Sequence, residues 1–170
     1  RKIPGLGFYG APYVEELRRW TIGNYSSAVQ AIKQSTFDLS SFEDHQKKFP
    51  RSQDPYMWWN ERLIFAALVS SKLPPGAIIE IGVGSGGTFS VMCAFANDWQ
   101  NRHLYCYDDS SYSGEKQWAE FWETMEPLRD HNFQIMRQSS QHAGLRESIA
   151  FLHVDGAHDY LGCKFDLEYF

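Results

Sequence analysis

The sequence predicts an α/β fold with a doubly wound, mostly parallel sheet and an N-terminal helical cap. Two observations support the sheet: from residue 76 onward, short β-rich runs alternate with helical runs, which is typical of βαβ units, and a glycine-rich turn follows the apolar run that begins at Ala77. Before the break "KLPPGA", the sequence contains helix-like runs only. We therefore expect a helical cap and substrate region over residues 1–75 and a sheet-containing core over residues 76–170.

The elements follow from the spacing of apolar residues along the chain. Three helices are expected in the cap, and the last is long and free of Gly and Pro: "YVEELRRW", "NYSSAVQAIKQS" and "YMWWNERLIFAALVSSKL". The core is expected to run strand "AIIEIGV", helix from Ser85, strand "HLYCYD", helix "EKQWAEFWETM", strand "NFQIM", helix "QHAGLRES", strand "IAFLHV", helix "DYLGCKFDLEYF". Because ligands of such sheets bind at the carboxyl ends of the strands, polar residues there form the candidate site.

Composition excludes several kinds of partner. The 170 residues carry a net charge of -5 without a block of Lys and Arg, so no nucleic acid or anionic membrane is expected to bind. The sequence has no apolar run of the ~18 residues that a membrane span needs. We expect a small-molecule partner and leave open an assembly of identical chains. The sequence begins at Arg1 rather than Met, which suggests a trimmed chain.

The cysteines indicate a reducing compartment. They are far apart in apolar segments and fit neither a disulfide framework nor a zinc pair: Cys93, Cys106 and Cys163. We expect buried, reduced thiols in a cytoplasmic protein.

The stretch "AIIEIGVGSGGTFS" carries the first candidate ligand site. Gly82, Gly84 and Gly87 satisfy the G-x-G-x-x-G pattern of dinucleotide sites, and Asp108 follows about where a ribose-binding acid belongs. Glu80 discriminates between ligands, because a carboxylate at this strand end would repel a pyrophosphate and attract ammonium and sulfonium groups. S-adenosylmethionine carries both groups. The alternatives are an NAD-dependent oxidoreductase, a non-catalytic nucleotide-binding domain, and a tight turn whose acid is solvated.

The end of the second strand, "LYCYDDS", supports a nucleoside ligand. An acid at this point can accept two hydrogen bonds from ribose hydroxyls, and we choose Asp108 over Asp109 for that role. The alternative is that "DDSS" caps the following helix. After the third strand, "RQSSQ" places Ser139 or Ser140 where a hydroxyl could reach an adenine, although hydroxyls are common in turns.

The fourth strand ends in "FLHVDGAHDY", a second candidate site. Asp155 ends the strand as a possible oxygen ligand for Mg²⁺, and Gly156 permits a tight turn that brings His158 back as a general base. One alternative is a D-G turn followed by a helix that begins at Asp159. Another is the H-x-D-x-x-H pattern of non-haem iron sites, but we expect His153 to be a satisfied residue of the sheet.

Three segments together carry a family resemblance: "EIGVGSGGT", "YDDS" and "HVDGAHDYLGCKFDLEYF". The first reads E-x-G-x-G-x-G, and the last contains D-G-x-H-x-Y before a helix with an acid and a final aromatic residue. From residue 73 to residue 170 the chain resembles the Rossmann-like class I methyltransferases. Among them it is similar to the small-molecule O-methyltransferases related to macrocin O-methyltransferase and the cephalosporin hydroxylase-type proteins.

The resemblance implies a function and its residues. It implies S-adenosylmethionine binding and methylation of a hydroxyl on a sugar or natural product. The implied cofactor-binding residues are Glu80, Gly82, Gly84, Gly86 and Asp108. The resemblance also implies that Asp155 ligates a divalent metal such as Mg²⁺ and that His158 is the catalytic base.

The resemblance also implies more strands than this sequence supplies. The related fold has seven strands, and metal-dependent relatives carry a second acidic pair after the fifth strand. Four strands are predicted before Phe170. We therefore expect the carboxy-terminal strands and half of the metal site to be missing from this sequence.

Overall fold

The computed structural model describes residues 26, 29–30, 32–33, 36–48, 59–110, 114–142, 144–145, 147–156 and 159–170. The chain forms two compact units, Arg1–Phe37 and Asp38–Phe170. All elements named below lie in the second unit. The expected helix "YVEELRRW" lies outside the described residues, as does most of "NYSSAVQAIKQS". The role of residues 1–75 as a substrate region stays a prediction.

The second unit alternates strands and helices. Its described helices are α1 (Leu39–Lys48), α2 (Trp59–Ser70), α3 (Gly87–Phe95), α4 (Gly114–Met125) and α5 (Tyr160–Tyr169). Its strands are β1 (Ala77–Ile81), β2 (Leu104–Tyr107), β3 (Phe133–Met136) and β4 (Ile149–Val154). Short 3₁₀ turns cover Trp99–Asn101, Glu126–Leu128 and Ser140–His142.

The four strands form one parallel sheet in the order β3-β2-β1-β4. The predicted doubly wound α/β class is thereby confirmed, and β4 lies beside the glycine-bearing strand β1. In the register, Glu80 of β1 pairs with Cys106 of β2 and with His153 of β4. The carboxyl ends of β2, β1 and β4 therefore adjoin, and polar groups at these ends lie close together.

Apolar side chains from β1 enter cores on both faces of the sheet, because successive residues of a strand point to opposite sides. Ile78 packs with Phe89 of α3 in the larger core, whereas Ile79 packs with Tyr107 and with Phe170, after α5, in the smaller one. Burying a side chain such as Ile78 contributes roughly 1.5–3 kcal/mol. Phe89→Ala would remove a fully buried ring and cost about 3–5 kcal/mol.

The sequence analysis missed one helix and predicted another that the described residues do not form. Helix α1 was not predicted, although Asp38 signals its start by accepting a hydrogen bond (3.1 Å) from the backbone N–H of Ser41, a typical N-cap contact. The expected helix "QHAGLRES" is absent from the described residues, where only the 3₁₀ turn Ser140–His142 is helical. Gly144 within that run disfavours helix because it leaves the backbone unconstrained.

All three cysteines are free. Cys93 and Cys106 are buried as predicted. Cys163 is exposed, contrary to the prediction, because α5 buries little of its surface and presents most of its side chains to solvent. None of the helices in the described part of the chain combines the length and apolarity needed to cross a membrane.

Candidate functional site

The loop between β1 and α3 needs glycine for two different reasons. Gly82 has φ +82°, and a Cβ there would lie 2.2 Å from the backbone oxygen of Asp155, so the end of β4 can approach only a glycine. Gly86 also has φ +82°, and a Cβ there would lie 3.0 Å from the Phe121 ring of α4. Both glycines let the loop pack against neighbouring elements.

Gly84 differs from its neighbours. It has φ +53°, and a Cβ built there would meet no described atom within 4 Å. Its backbone therefore borders open space at the carboxyl end of β1. Glycine at such a place allows a ligand to approach the backbone closely.

Glu80 lies inside the larger core rather than in water. Only 1% of the residue is exposed, so the alternative of a solvated acid is wrong. Its Oε1 is 3.0 Å from Nδ1 of His153, and the Phe65 ring packs on His153 with centroids 4.5 Å apart. Oε2 is buried and has no hydrogen-bond partner among the described residues. A buried carboxylate oxygen without a donor is costly, which marks this oxygen as a point where a polar group is needed.

Glu80 and His153 shift each other's protonation. Burial raises the pKa of Glu80 more than His153 lowers it, and the charges of Asp155 and Asp108 raise it further. Burial lowers the pKa of His153, but the hydrogen bond and charge of Glu80 outweigh this, so the pKa of His153 is raised. The pair therefore holds a proton more firmly than its members would in water.

The carboxylate of Asp108 fastens the glycine loop to β2. Its Oδ2 accepts the backbone N–H groups of Val83 and Gly84, each at 3.1 Å, and the side-chain amide of Gln117 at 2.8 Å. Its Oδ1 accepts the backbone N–H of Ser110 at 2.7 Å. Hydrogen bonds to a charged group contribute roughly 1.5–3 kcal/mol each, so this carboxylate is firmly positioned.

Asp109 lies beside this carboxylate but is exposed. The bond from Ser110 to Asp108 closes a turn in which Ser110 has φ +58°, a conformation that costs a residue other than glycine roughly 1–2 kcal/mol. The choice of Asp108 for the ribose stays a prediction, and the structure adds that its carboxylate already binds the loop.

The two serines after β3 take part in local contacts. Ser139 Oγ accepts the backbone N–H of Gln141 at 3.3 Å, and Ser140 Oγ donates to the buried carboxylate of Asp166 in α5. The contact of Ser140 ties this turn to α5. The assignment of Ser139 to adenine stays a prediction.

At the end of β4, backbone atoms rather than a side chain make the contact with β1. Asp155 donates its backbone N–H to the Ile81 oxygen at 2.8 Å, beside Gly82, while the residue itself is exposed. His158 lies outside the described residues. Asp159 Oδ1 accepts the N–H of Gly162 at 2.9 Å and caps α5, which confirms the capping alternative for this residue.

The described residues do not form a metal centre. Among them, no three His, Cys, Asp or Glu side chains are grouped to hold an ion. His153, the first histidine of the H-x-D-x-x-H pattern, hydrogen-bonds to Glu80 instead and is a satisfied sheet residue as predicted. Asp155 supplies one exposed carboxylate at this strand end, and its assignment as a metal ligand stays a prediction.

The hydrogen bond from Gln117 to Asp108 was not predicted from the sequence. Gln117 occupies the buried face of α4 together with Phe121, and only 8% of it is exposed. A Gln on the apolar face of an amphipathic helix was the available signal, because buried amides usually have a specific partner. The pairing of Glu80 with His153 was also missed, since it depends on the register of β1 and β4.

Comparison with known families identifies the domain that contains this site. Residues 79–170, more than half of the chain, match a family described as a methyltransferase domain. The matched segment contains Glu80, the glycine loop, Asp108 and Asp155. No curated protein matches the chain at a significant level.

Proposed function

The chain belongs to the methyltransferase-domain family, and on that premise we propose that it is an O-methyltransferase acting on a small-molecule hydroxyl. The family implies an enzyme of the methyltransferase class that uses S-adenosylmethionine. The hydroxyl acceptor, a sugar or natural product, is the part we add. We also keep the reactive role of His158, the cytoplasmic location and an assembly of identical chains as proposals.

One observation carries the proposal: a buried carboxylate lies at the base of a glycine loop that borders open space. Glu80 is 1% exposed, its Oε2 has no partner in the described part of the chain, and Gly84 has no described atom near a built Cβ. A charge in a low-dielectric interior acts more strongly than one in water. Such a carboxylate favours a cationic ligand, as S-adenosylmethionine is, over a pyrophosphate.

The residues fit the cofactor in distinct ways. We assign its nucleoside to the end of β2, where Asp108 is held by backbone and side-chain donors. We assign its methionine part to the loop over Gly84, on the side of the Glu80–His153 pair. When bound, S-adenosylmethionine supplies an electrophilic methyl group on a sulfonium.

The protein has three tasks in the reaction. The loop and Asp108 orient the bound nucleoside, which converts an encounter of two molecules into a positioned displacement. Glu80 stabilises the positive charge of the ligand. His158 accepts the proton of the acceptor hydroxyl, whose oxygen would take the methyl group from the sulfonium and leave S-adenosylhomocysteine as the product. The described residues near Asp155 do not by themselves form a metal ligand set, and the three tasks above use only residues of this chain.

The proposal is tested by calorimetry with S-adenosylmethionine, S-adenosylhomocysteine and NAD. We expect both sulfur ligands to bind and NAD to fail. Binding of NAD alone would indicate an oxidoreductase, and binding of none would indicate a non-catalytic domain.

A matched pair of variants locates the nucleoside. Asp108→Asn should weaken S-adenosylhomocysteine binding by about 1.5–3 kcal/mol, because a charge-assisted hydrogen bond is lost. Asp109→Asn, next to it and exposed, should change little. The reverse ranking would assign the ribose to Asp109. Methyl transfer from S-adenosylmethionine to a panel of sugars and phenols then tests the acceptor class.

A further inference from the structure

The two oxygens of Asp108 are used unequally by the protein. Among the described residues, Oδ2 accepts three donors, from Val83, Gly84 and Gln117, whereas Oδ1 accepts one, from Ser110. A carboxylate offers about four lone-pair sites, two on each oxygen. Oδ2 is therefore filled and Oδ1 retains one acceptor site. Only one oxygen of this carboxylate can receive a further hydroxyl without displacing a donor.

Gln117 is the only side chain among these four donors. The other three are backbone N–H groups, whose positions follow from the path of the chain. Gln117 lies on the buried face of α4, and its amide nitrogen is 2.8 Å from Oδ2, the shortest of the three contacts to that oxygen. A buried amide that lost this partner would pay a desolvation penalty, so the contact is firmly held. It fixes the rotation of the carboxylate between α4 and the glycine loop.

We propose that Gln117 is a positioning residue for the cofactor ribose: by filling Asp108 Oδ2 together with the Val83 and Gly84 amides, it turns Oδ1 toward a single ribose hydroxyl. The inference rests on the proposed function, because it takes S-adenosylmethionine as the ligand at this strand end. It adds that one of the two hydroxyls contributes more to binding than the other. Gln117 touches the carboxylate and not the ligand, so its effect is indirect.

The first test uses the wild-type protein and two probes, the 2′-deoxy and 3′-deoxy forms of S-adenosylhomocysteine. Loss of the hydroxyl that meets Oδ1 should weaken binding roughly tenfold or more, as expected for a hydrogen bond to a charged group. Loss of the other hydroxyl should weaken it much less. Equal losses for the two probes would overturn the proposal.

The second test removes the amide while keeping the shape of the side chain. Gln117→Met should raise the dissociation constant of S-adenosylhomocysteine by about tenfold, within the range for residues that share one hydrogen-bond network. The difference between the two deoxy probes should shrink, because Asp108 is then free to rotate. Simple destabilisation would weaken all three ligands equally. Gln134→Met, at an exposed position of β3, is the matched control and should leave all three affinities unchanged.

The outcomes separate this inference from the proposed function. If S-adenosylhomocysteine fails to bind the wild-type protein, the proposed function fails first. If it binds and Gln117→Met leaves both its affinity and the probe difference unchanged, only the role of Gln117 is refuted. If Gln117→Met does not fold, the two probes on the wild-type protein decide the question.

Discussion

The carboxyl ends of the central strands and of the edge strand β4 are built differently. Every residue of β1 and β2 is buried, whereas every residue of β4 is only half-buried. Correspondingly, Glu80 is 1% exposed and bonded to a neighbouring strand, while Asp155 faces solvent. The fold therefore holds the polar side chains at the ends of the central strands in place, and we assign the cofactor to these strand ends. It leaves the groups at the edge, where we assign the reaction, open to water.

The difference has a physical cause. A polar group at the end of a strand covered on both faces must find a partner within the protein, because unsatisfied buried groups are costly. Asp108 meets this requirement through contacts with the loop and α4, and Glu80 meets it at Oε1 through β4, whereas Glu80 Oε2 has no partner among the described residues. The carboxylate of Asp155 does not face this cost, because the residue is exposed and water can reach it. The part of the site at the ends of β1 and β2, which we call the central half, is preorganised for this reason.

Gly82→Ala should have the largest effect on stability. Its methyl group would lie 2.2 Å from the backbone oxygen of Asp155, which cannot move away without breaking the contact between β1 and β4. We expect a loss of about 4 kcal/mol or more in the free energy of unfolding. The matched variant Gly84→Ala, which meets open space, should cost about 1–2 kcal/mol from its positive φ alone. Urea unfolding measures both, and equal losses would refute the difference between the two glycines.

His158→Ala tests the edge half of the site, by which we mean the part that follows β4. If His158 is the base, turnover should fall roughly 10²- to 10⁴-fold, with the affinity for S-adenosylhomocysteine nearly unchanged. His142→Ala, an exposed histidine in the turn after β3, is the control and should retain activity. A His158→Ala protein with normal turnover would remove the catalytic assignment.

Glu80→Ala tests the central half of the site. The cofactor should bind more weakly by about 1.5–3 kcal/mol, because a charged contact is lost. Glu80→Gln keeps the hydrogen bond to His153 but removes the charge, so it should weaken the binding of S-adenosylmethionine more than that of S-adenosylhomocysteine, which lacks the sulfonium charge. Calorimetry on the folded variants gives both numbers. Unchanged affinities would contradict the role of Glu80.

The Glu80–His153 pair makes stability depend on pH. The pKa of His153 is raised above 6.5, chiefly because the contact with Glu80 outweighs burial. A base with a raised pKa contributes stability that is complete below its ordinary pKa and is lost as the pH rises through its folded pKa. The raised pKa of Glu80, caused mainly by burial, acts in the same direction. Chemical unfolding should therefore show stability declining above pH 6.5, with a smaller decline in the double variant Glu80→Gln/His153→Asn, which removes both titrating groups; an equal decline in that variant would exclude the pair as its source.

Asp155→Asn should have the smallest effect on the fold. The residue is exposed, and its structural contact to Ile81 uses the backbone N–H rather than the carboxylate. We expect a change within about 0.5 kcal/mol in unfolding free energy and an unchanged affinity for S-adenosylhomocysteine. A larger loss of stability would show that the edge half of the site is as tightly built as the central half.

The sequence predicted the strands and helices better than it predicted the side-chain contacts between them. Strand β4 was predicted with its observed bounds, because "IAFLHV" is a short apolar run between polar segments. The contact of Glu80 with His153, residues 73 positions apart, depends on strand register, which local patterns do not specify. The role of Gln117 depends on how α4 is rotated against β2. Helix α1 was missed because its apolar pattern is weak, although Asp38 marks its first turn.

The crystal structure of the protein with S-adenosylhomocysteine is the most direct test of the central claim. We predict that the nucleoside lies at the carboxyl end of β2 with one ribose hydroxyl bonded to Asp108 Oδ1. The homocysteine part should lie over Gly84, on the side of Glu80. A ligand bound elsewhere, with the space over Gly84 empty and the Asp108 carboxylate untouched, would contradict the account.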